Sequence, residues 1–201
     1  MIKHVIFDLG QVLVKVDLQN FMAHFSKEFD ITIFDLMQNQ NDGAYQDFMI
    51  GNLTSEQFHQ KTCHRYNHFV SLDRLKFVWD TMLTGPVDGM AKVVNQLHEN
   101  GYSLALLSNT DPWHFEYCQQ YLPFLEKFES RFLSYDLKMK KPDAEIFLTV
   151  ANALHTKPEQ CVFIDDVREN IDSARSLNFK TIHFQDANQL RQELTEMGIA
   201  M

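Results

Sequence analysis

Apolar residues recur along this chain in two rhythms. Short runs without helical spacing fall at residues 2–7, 102–107, 161–164 and 181–184, with a briefer one at 132–133. Each predicts a strand buried on both faces. Elsewhere the spacing is three and four. Phe21, Met22, Phe25 and Phe29 share one helix face, and Leu36 and Met37 begin another. Leu72, Leu75, Phe77, Val78 and Met82 mark a further helix, as do Met90, Val93, Val94 and Leu97. Helices are also predicted at 111–121, 144–154 and 169–177 and around Leu190 and Leu194. Thr54 stands three residues before Gln57 and just ahead of Phe58, a capping-box pattern. Gly101 suits the position past a helix end, and Gly85-Pro86 punctuates the chain.

From about residue 85 onward, strands and helices alternate, which predicts a parallel sheet with helices on both faces. The first strand belongs to the same sheet. No strand is expected across residues 16–84, so this stretch reads as an all-helical unit inserted after it. The expected organisation is therefore an α/β core of residues 1–15 and 85–201 with a helical insertion at 16–84. Ligands of open parallel sheets sit beyond the carboxyl ends of the strands. Asp8, Ser108-Asn109 and Asp165-Asp166 each follow an apolar run, so one crevice should collect them.

Length and composition add bounds. At 201 residues the chain suffices for one domain with a modest insertion. A formal net charge of −9 disfavours nucleic-acid binding, because such a surface repels phosphate backbones. It leaves room for a small anion held by a local cation. Cys63, Cys118 and Cys161 are odd in number and widely spaced, which predicts buried thiols rather than disulfides. No apolar run reaches the roughly 18 residues of a membrane span, and the first residues lack a signal-peptide pattern. A cytoplasmic location and no membrane partner are expected; the oligomeric state is not specified.

Three converging carboxylates set the chemistry. Each pair repels by about 4 kcal/mol at 4 Å with an effective dielectric near 20. Unless their pKa values rise, something positive must sit among Asp8, Asp165 and Asp166. An all-oxygen cluster suits a hard divalent cation, with Mg²⁺ the first choice. Lys141 supplies a further charge. Together they leave the crevice able to accept a phosphoryl group, to which Ser108 and the Asn109 backbone donate hydrogen bonds.

Four segments resemble, in order, the motifs of the haloacid dehalogenase superfamily. Phe7-Asp8-Leu9-Gly10-Gln11-Val12-Leu13 looks like the first and Leu107-Ser108-Asn109-Thr110 like the second. Lys140-Lys141-Pro142-Asp143 is similar to the third, and residues 163–170 (Phe-Ile-Asp-Asp-Val-Arg-Glu-Asn) match the fourth. The nearest subgroup resembles bacterial alpha-D-glucose-1-phosphate phosphatase. The resemblance implies a Rossmann-like core under a small helical cap. It also implies a Mg²⁺-dependent phosphomonoesterase acting on a small phosphorylated metabolite, with a sugar phosphate favoured. Asp8 would attack phosphorus to give an aspartyl-phosphate, with Lys141 and Ser108 assisting. The metal would be held by Asp8, the Gly10 carbonyl and Asp166, and through water by Asp165. Two alternatives remain: a metal-independent 2-haloacid dehalogenase-type hydrolase, and a binding or regulatory module with little turnover.

The departure from the family is Gly10, where most phosphatases of the superfamily carry a second Asp as general acid and base. Asp17, at the start of the helical stretch, or a water is the expected partial substitute. Other residues have plainer readings. His59, His64 and His68 are not expected to hold a metal. Trp113 is expected to pack, with His114 beside it at the pocket mouth. Phe21, Phe25, Phe48, Phe58 and Phe69 should form the insertion's core. The stretch 42–49 has the position to reach the crevice.

Overall fold

The computed structural model describes residues 2–38 and 43–201. Five parallel strands form the main sheet: β1 (His4–Phe7), β4 (Ser103–Ser108), β5 (Ser130–Leu133), β6 (Cys161–Asp165) and β7 (Lys180–His183). Their spatial order is β5-β4-β1-β6-β7. Phe7 is in register with Leu106 on one side and Ile164 on the other. Alternation along the strands divides the core in two. Val5, Phe7, Leu104, Leu106, Val162 and Ile164 face one helical layer, α6 (Met90–Glu99), α7 (Pro112–Tyr121) and α11 (Ala187–Glu196). Ile6, Ala105, Leu107 and Phe163 face the other, α9 (Ala144–Ala153) and α10 (Arg168–Ser176). Burial on both faces is why these strands read as continuous apolar runs.

The strand order makes β1 the turning point. The chain builds outward to β4 and β5, then crosses back to lay β6 and β7 on the opposite side of β1. Connections leaving in opposite directions open a crevice at the carboxyl end of β1.

Between β1 and β4 lie α1 (Leu18–Phe29), α2 (Ile33–Gln38), α3 (Ala44–Met49), α4 (Ser55–Arg65) and α5 (Leu72–Asp80). Phe21, Phe25, Phe29, Phe48, Phe58, Leu75, Val78 and Trp79 form their own core, joined by Trp113 of α7. Thr54 closes a reciprocal capping box with Gln57 at the start of α4. Two features differ from expectation. Phe69 is 81% exposed, with an edge contact to the His59 ring, so it is no core residue. Phe77 also faces out, because Leu75, Val78 and Trp79 already define the inward stripe and position 77 is out of phase with it.

A further difference is a pair of short strands, β2 (Val14–Val16) and β3 (Leu83–Pro86), which run antiparallel and flank the helices. Gly85-Pro86, read as punctuation, lies inside β3. Pro86 is tolerated because this two-stranded ribbon consists of edges. Among the described residues, no helix is long and apolar enough to cross a membrane.

Candidate active site

Asp8 is the first residue past β1. Its backbone continues the ladder, donating to the Ile164 carbonyl at 2.9 Å. Its Oδ1 accepts the Leu9 N–H at 2.7 Å and pairs with Lys141 Nζ at 2.8 Å. Its Oδ2 makes no hydrogen bond to any described residue. Burial is the main influence on this carboxyl, pushing its pKa up to about 6; Lys141 opposes the rise and Asp165 adds to it.

The chain then makes a tight loop. Leu9's carbonyl accepts from both Leu13 and Val14, and Gln11 adopts a left-handed φ of 54°. The Gln11 amide pairs with the main chain of Val16, donating to its carbonyl at 3.0 Å and accepting its N–H at 3.3 Å. The Gly10 carbonyl accepts no hydrogen bond among the described residues.

Asp165, fully buried at the end of β6, is held by three donors. Its Oδ1 accepts the Val167 N–H at 2.8 Å and Asn170 Nδ2 at 3.0 Å. Its Oδ2 accepts Lys141 Nζ at 2.6 Å and shares the same Asn170 donor at 3.1 Å. Asp165 thus holds the Lys141 ammonium in place. Asn170, buried in the first turn of α10, orients it.

Asp166 is the complement. Its side chain takes no hydrogen bond from another described residue, and its carbonyl accepts His183 Nε2 at 2.8 Å. Burial and the neighbouring Asp165 raise its pKa. Oxygens of Asp8, Asp165 and Asp166 all lie within 4.8 Å of one another, the one group able to hold a metal ion among the described residues. His59, His64 and His68 form no such group; His59 instead faces the Val70 carbonyl at 2.7 Å. Three carboxylates against one ammonium leave the cluster short of positive charge. The unengaged oxygens of Asp8, Gly10 and Asp166 suit a hard divalent cation.

Lys141 is buried, its ammonium wedged between Asp8 and Asp165 and 5.4 Å from the Phe163 ring centre. Burial works against its charge, yet the two carboxylates hold its pKa above the ordinary value. Asn109 grips its main chain, with Nδ2 donating to the Lys141 carbonyl and Oδ1 accepting the Lys141 N–H, each at 2.8 Å. Ser108 is buried at the end of β4, and its hydroxyl bonds to no described residue.

A cleft of about 770 Å³ opens over these groups. Asp8, Gly10, Asn109, Lys141, Asp166 and Asn170 line its floor; Lys15, Asp17, Leu18, Gln19 and Thr84 line its other wall. Asp17 does so while capping α1, with Oδ1 accepting the Asn20 N–H at 2.9 Å. Of the stretch 42–49, residue 42 lies outside the described residues and α3 contributes nothing to the cleft. Lys140 is near the surface, 3.4 Å from Gln46.

Trp113 packs as expected and donates to Ser55 Oγ at 2.9 Å. His114 does not reach the cleft. It pairs with Asp111 at 2.8 Å, and its other ring nitrogen meets the Trp79 carbonyl at 3.2 Å. Asp111 is fully buried and also accepts Trp79 Nε1 at 3.2 Å. The sequence signal was Asp-Pro at a helix start, which predicts a cap but not its buried partners.

The fold and the site together define a Rossmann-like hydrolase. The chain belongs to the haloacid dehalogenase-like hydrolase family, whose model matches residues 2–178. It is 27% identical over 210 residues to a D-ribitol-5-phosphate phosphatase of Bacteroides thetaiotaomicron, spanning 97% of this chain and 98% of that one. A HAD family enzyme of the same organism, solved with magnesium and inorganic phosphate, superimposes with a TM-score of 0.85 at 28% identity. The match covers 93% of this chain and 96% of that enzyme. The L-2-haloacid dehalogenase of Xanthobacter autotrophicus, with chloropropionic acid covalently bound, has a TM-score of 0.62 at 16% identity. That match, over 100% of this chain and 85% of the other, is a likeness of fold.

Proposed function

We propose that the protein is a Mg²⁺-dependent phosphomonoesterase that acts through an aspartyl-phosphate on a small phosphorylated metabolite, a sugar or sugar-alcohol phosphate being favoured. The observation that carries this reading is the free Asp8 Oδ2 beside the unengaged Gly10 carbonyl and Asp166 carboxylate. Residues 16–84 act as a cap over the core of residues 1–15 and 85–201. Likeness to the ribitol-phosphate phosphatase favours a polyol-type leaving group.

Asp8, the Gly10 carbonyl and Asp166 would hold Mg²⁺, which supplies charge neutralisation for a phosphoryl group when bound. One Asp8 carboxylate oxygen attacks phosphorus while the other would face the metal, and the bond to the leaving oxygen breaks. The Lys141 ammonium faces the developing negative charge. The Ser108 hydroxyl and the Asn109 N–H, which has no carbonyl partner among the described residues, donate to the phosphoryl oxygens. Water then attacks phosphorus and frees Asp8. Gly10 has no proton to give, so Asp17, on the cleft wall, gives one to the leaving oxygen and takes one back from the attacking water.

A panel of phosphorylated metabolites assayed with and without Mg²⁺, beside Asp8→Asn, tests the reading. Mg²⁺-dependent phosphate release by the unaltered protein and none by Asp8→Asn is expected. Chloride release from 2-haloacids without added metal, and no phosphate release, would replace it.

A further inference from the structure

Lys141 lies in neither a helix nor a strand, so its peptide groups have no ladder to hold them. Asn109 stands in for one. The N–H and C=O of Lys141 both meet the Asn109 amide at 2.8 Å, the pairing a neighbouring strand would provide. At the far end of the side chain, the ammonium sits 2.8 Å from Asp8 and 2.6 Å from Asp165. Asp165 is in turn fixed by Asn170 and the Val167 N–H. Lys141 is thus held at both ends by residues from the ends of three adjacent strands.

Neither aspartate nor alanine could do this job. Aspartate has the size but would turn a carboxylate oxygen toward the Lys141 carbonyl, replacing a donor by a repelling acceptor. Alanine leaves both Lys141 groups without their partner. The Asn109 side chain has one N–H and one lone pair beyond the clasp, whereas Lys141 has no second clasp among the described residues.

We infer that the Asn109 side chain is a positioning residue, acting on the reaction through Lys141 and not through contact with substrate. Its catalytic consequence rests on the phosphatase reading above; the clasp itself does not. A displaced ammonium costs rate because a misplacement of about 1 Å can cost roughly 10²-fold.

Two measurements on Asn109→Ala, Asn109→Asp, Lys141→Ala and the Asn109→Ala/Lys141→Ala double variant test this. The first is acylation of lysines by a succinimidyl ester, read by mass spectrometry, with surface Lys15 as the internal reference. Freed from its clasp, Lys141 should be labelled about fivefold faster or more in both Asn109 variants, a factor equivalent to about 1 kcal/mol of protection. Lys15 labelling should not change. Unchanged Lys141 labelling overturns the inference, whether or not the protein releases phosphate.

The second measurement is kcat with the best phosphorylated substrate, or affinity for inorganic phosphate with Mg²⁺. Asn109→Ala should lower either by about tenfold or more when Lys141 is present, and by less than about twofold in the Lys141→Ala background. Equal losses in both backgrounds would mean that Asn109 touches the phosphoryl group itself, and the inference fails. Absence of phosphate release or binding by the unaltered protein would count against the phosphatase reading alone, and labelling would still decide the clasp.

Discussion

Gly10 is not glycine for want of space. Its backbone is outside the left-handed region, and an added Cβ would meet only Val16 Cγ2, at an ordinary 3.6 Å. Gly10→Asp should therefore fold as the unaltered protein does and restore the carboxylate that most phosphatases of the family carry. Turnover of alkyl phosphates, whose leaving groups need a proton, should rise by up to about 10²-fold relative to an aryl phosphate. A steady-state comparison of the two substrates checks this. Asp17→Asn is the converse. Asparagine caps a helix as well as aspartate, so thermal melting should hold while alkyl phosphate turnover falls. Unchanged turnover would remove Asp17 from the chemistry. Gly51 contrasts with Gly10. It is left-handed, and a Cβ would overlap the Tyr135 carbonyl, so Gly51→Ala should destabilise by about 2 kcal/mol or more in urea unfolding. At this scale the sequence yielded Asp8, Lys141 and Asp166, because each follows or precedes a recognisable strand or helix. The opposite fates of Asp165 and Asp166 were not legible. They are adjacent and identical in type, and only the direction of each side chain gives one to Lys141 and leaves the other open.

The junction of α5 and α7 carries a charged pair that local patterns do not reveal. Both His114 ring nitrogens face acceptors, the Asp111 carboxylate and the Trp79 carbonyl, so only the doubly protonated ring satisfies both. Burial works against charging His114, but Asp111 holds its pKa above the ordinary 6.5. Burial likewise works against ionising Asp111, and the His114 imidazolium holds that carboxyl below its ordinary 3.8. The histidine contribution is complete below pH 6.5 and is lost as pH rises through the higher folded value. The aspartate contribution is complete above pH 3.8 and is lost as pH falls through the lower one. Asp80 acts in the same sense as the histidine but lower in pH, since burial pushes its carboxyl up to about 6 and the contribution of its neutral form is lost as pH rises from 3.8 through that value. His114→Gln should therefore destabilise most between pH 3.8 and 6.5, by about 3 kcal/mol, with a smaller difference at higher pH. Urea unfolding of both proteins across pH measures it. The long helices were legible because each has a clear apolar stripe and several have caps. Strands β2 and β3 were not, since three- and four-residue strands show too little alternation, and Gly85-Pro86 resembles a stop.

Over the whole molecule, the strand order explains why four separated segments make one site. β1 is flanked by β4 and β6, so residues past all three open at the same end of the sheet. Alternation of strand and helix in the sequence foretold the parallel sheet and the crevice, but not the clasps that fix the lysine there. A net charge of −9 leaves long-range attraction of an anionic substrate to local cations, of which Lys141 is the buried one. On the proposed mechanism, Asp8 becomes phosphorylated during turnover. Acid-quenching the protein during Mg²⁺-supported turnover and mapping the phosphoryl group by mass spectrometry tests it directly. One phosphoryl group on the peptide that contains Asp8, absent from Asp8→Asn, is predicted. Sustained phosphate release by Asp8→Asn, or turnover with no phosphoryl group on that peptide, would contradict the account.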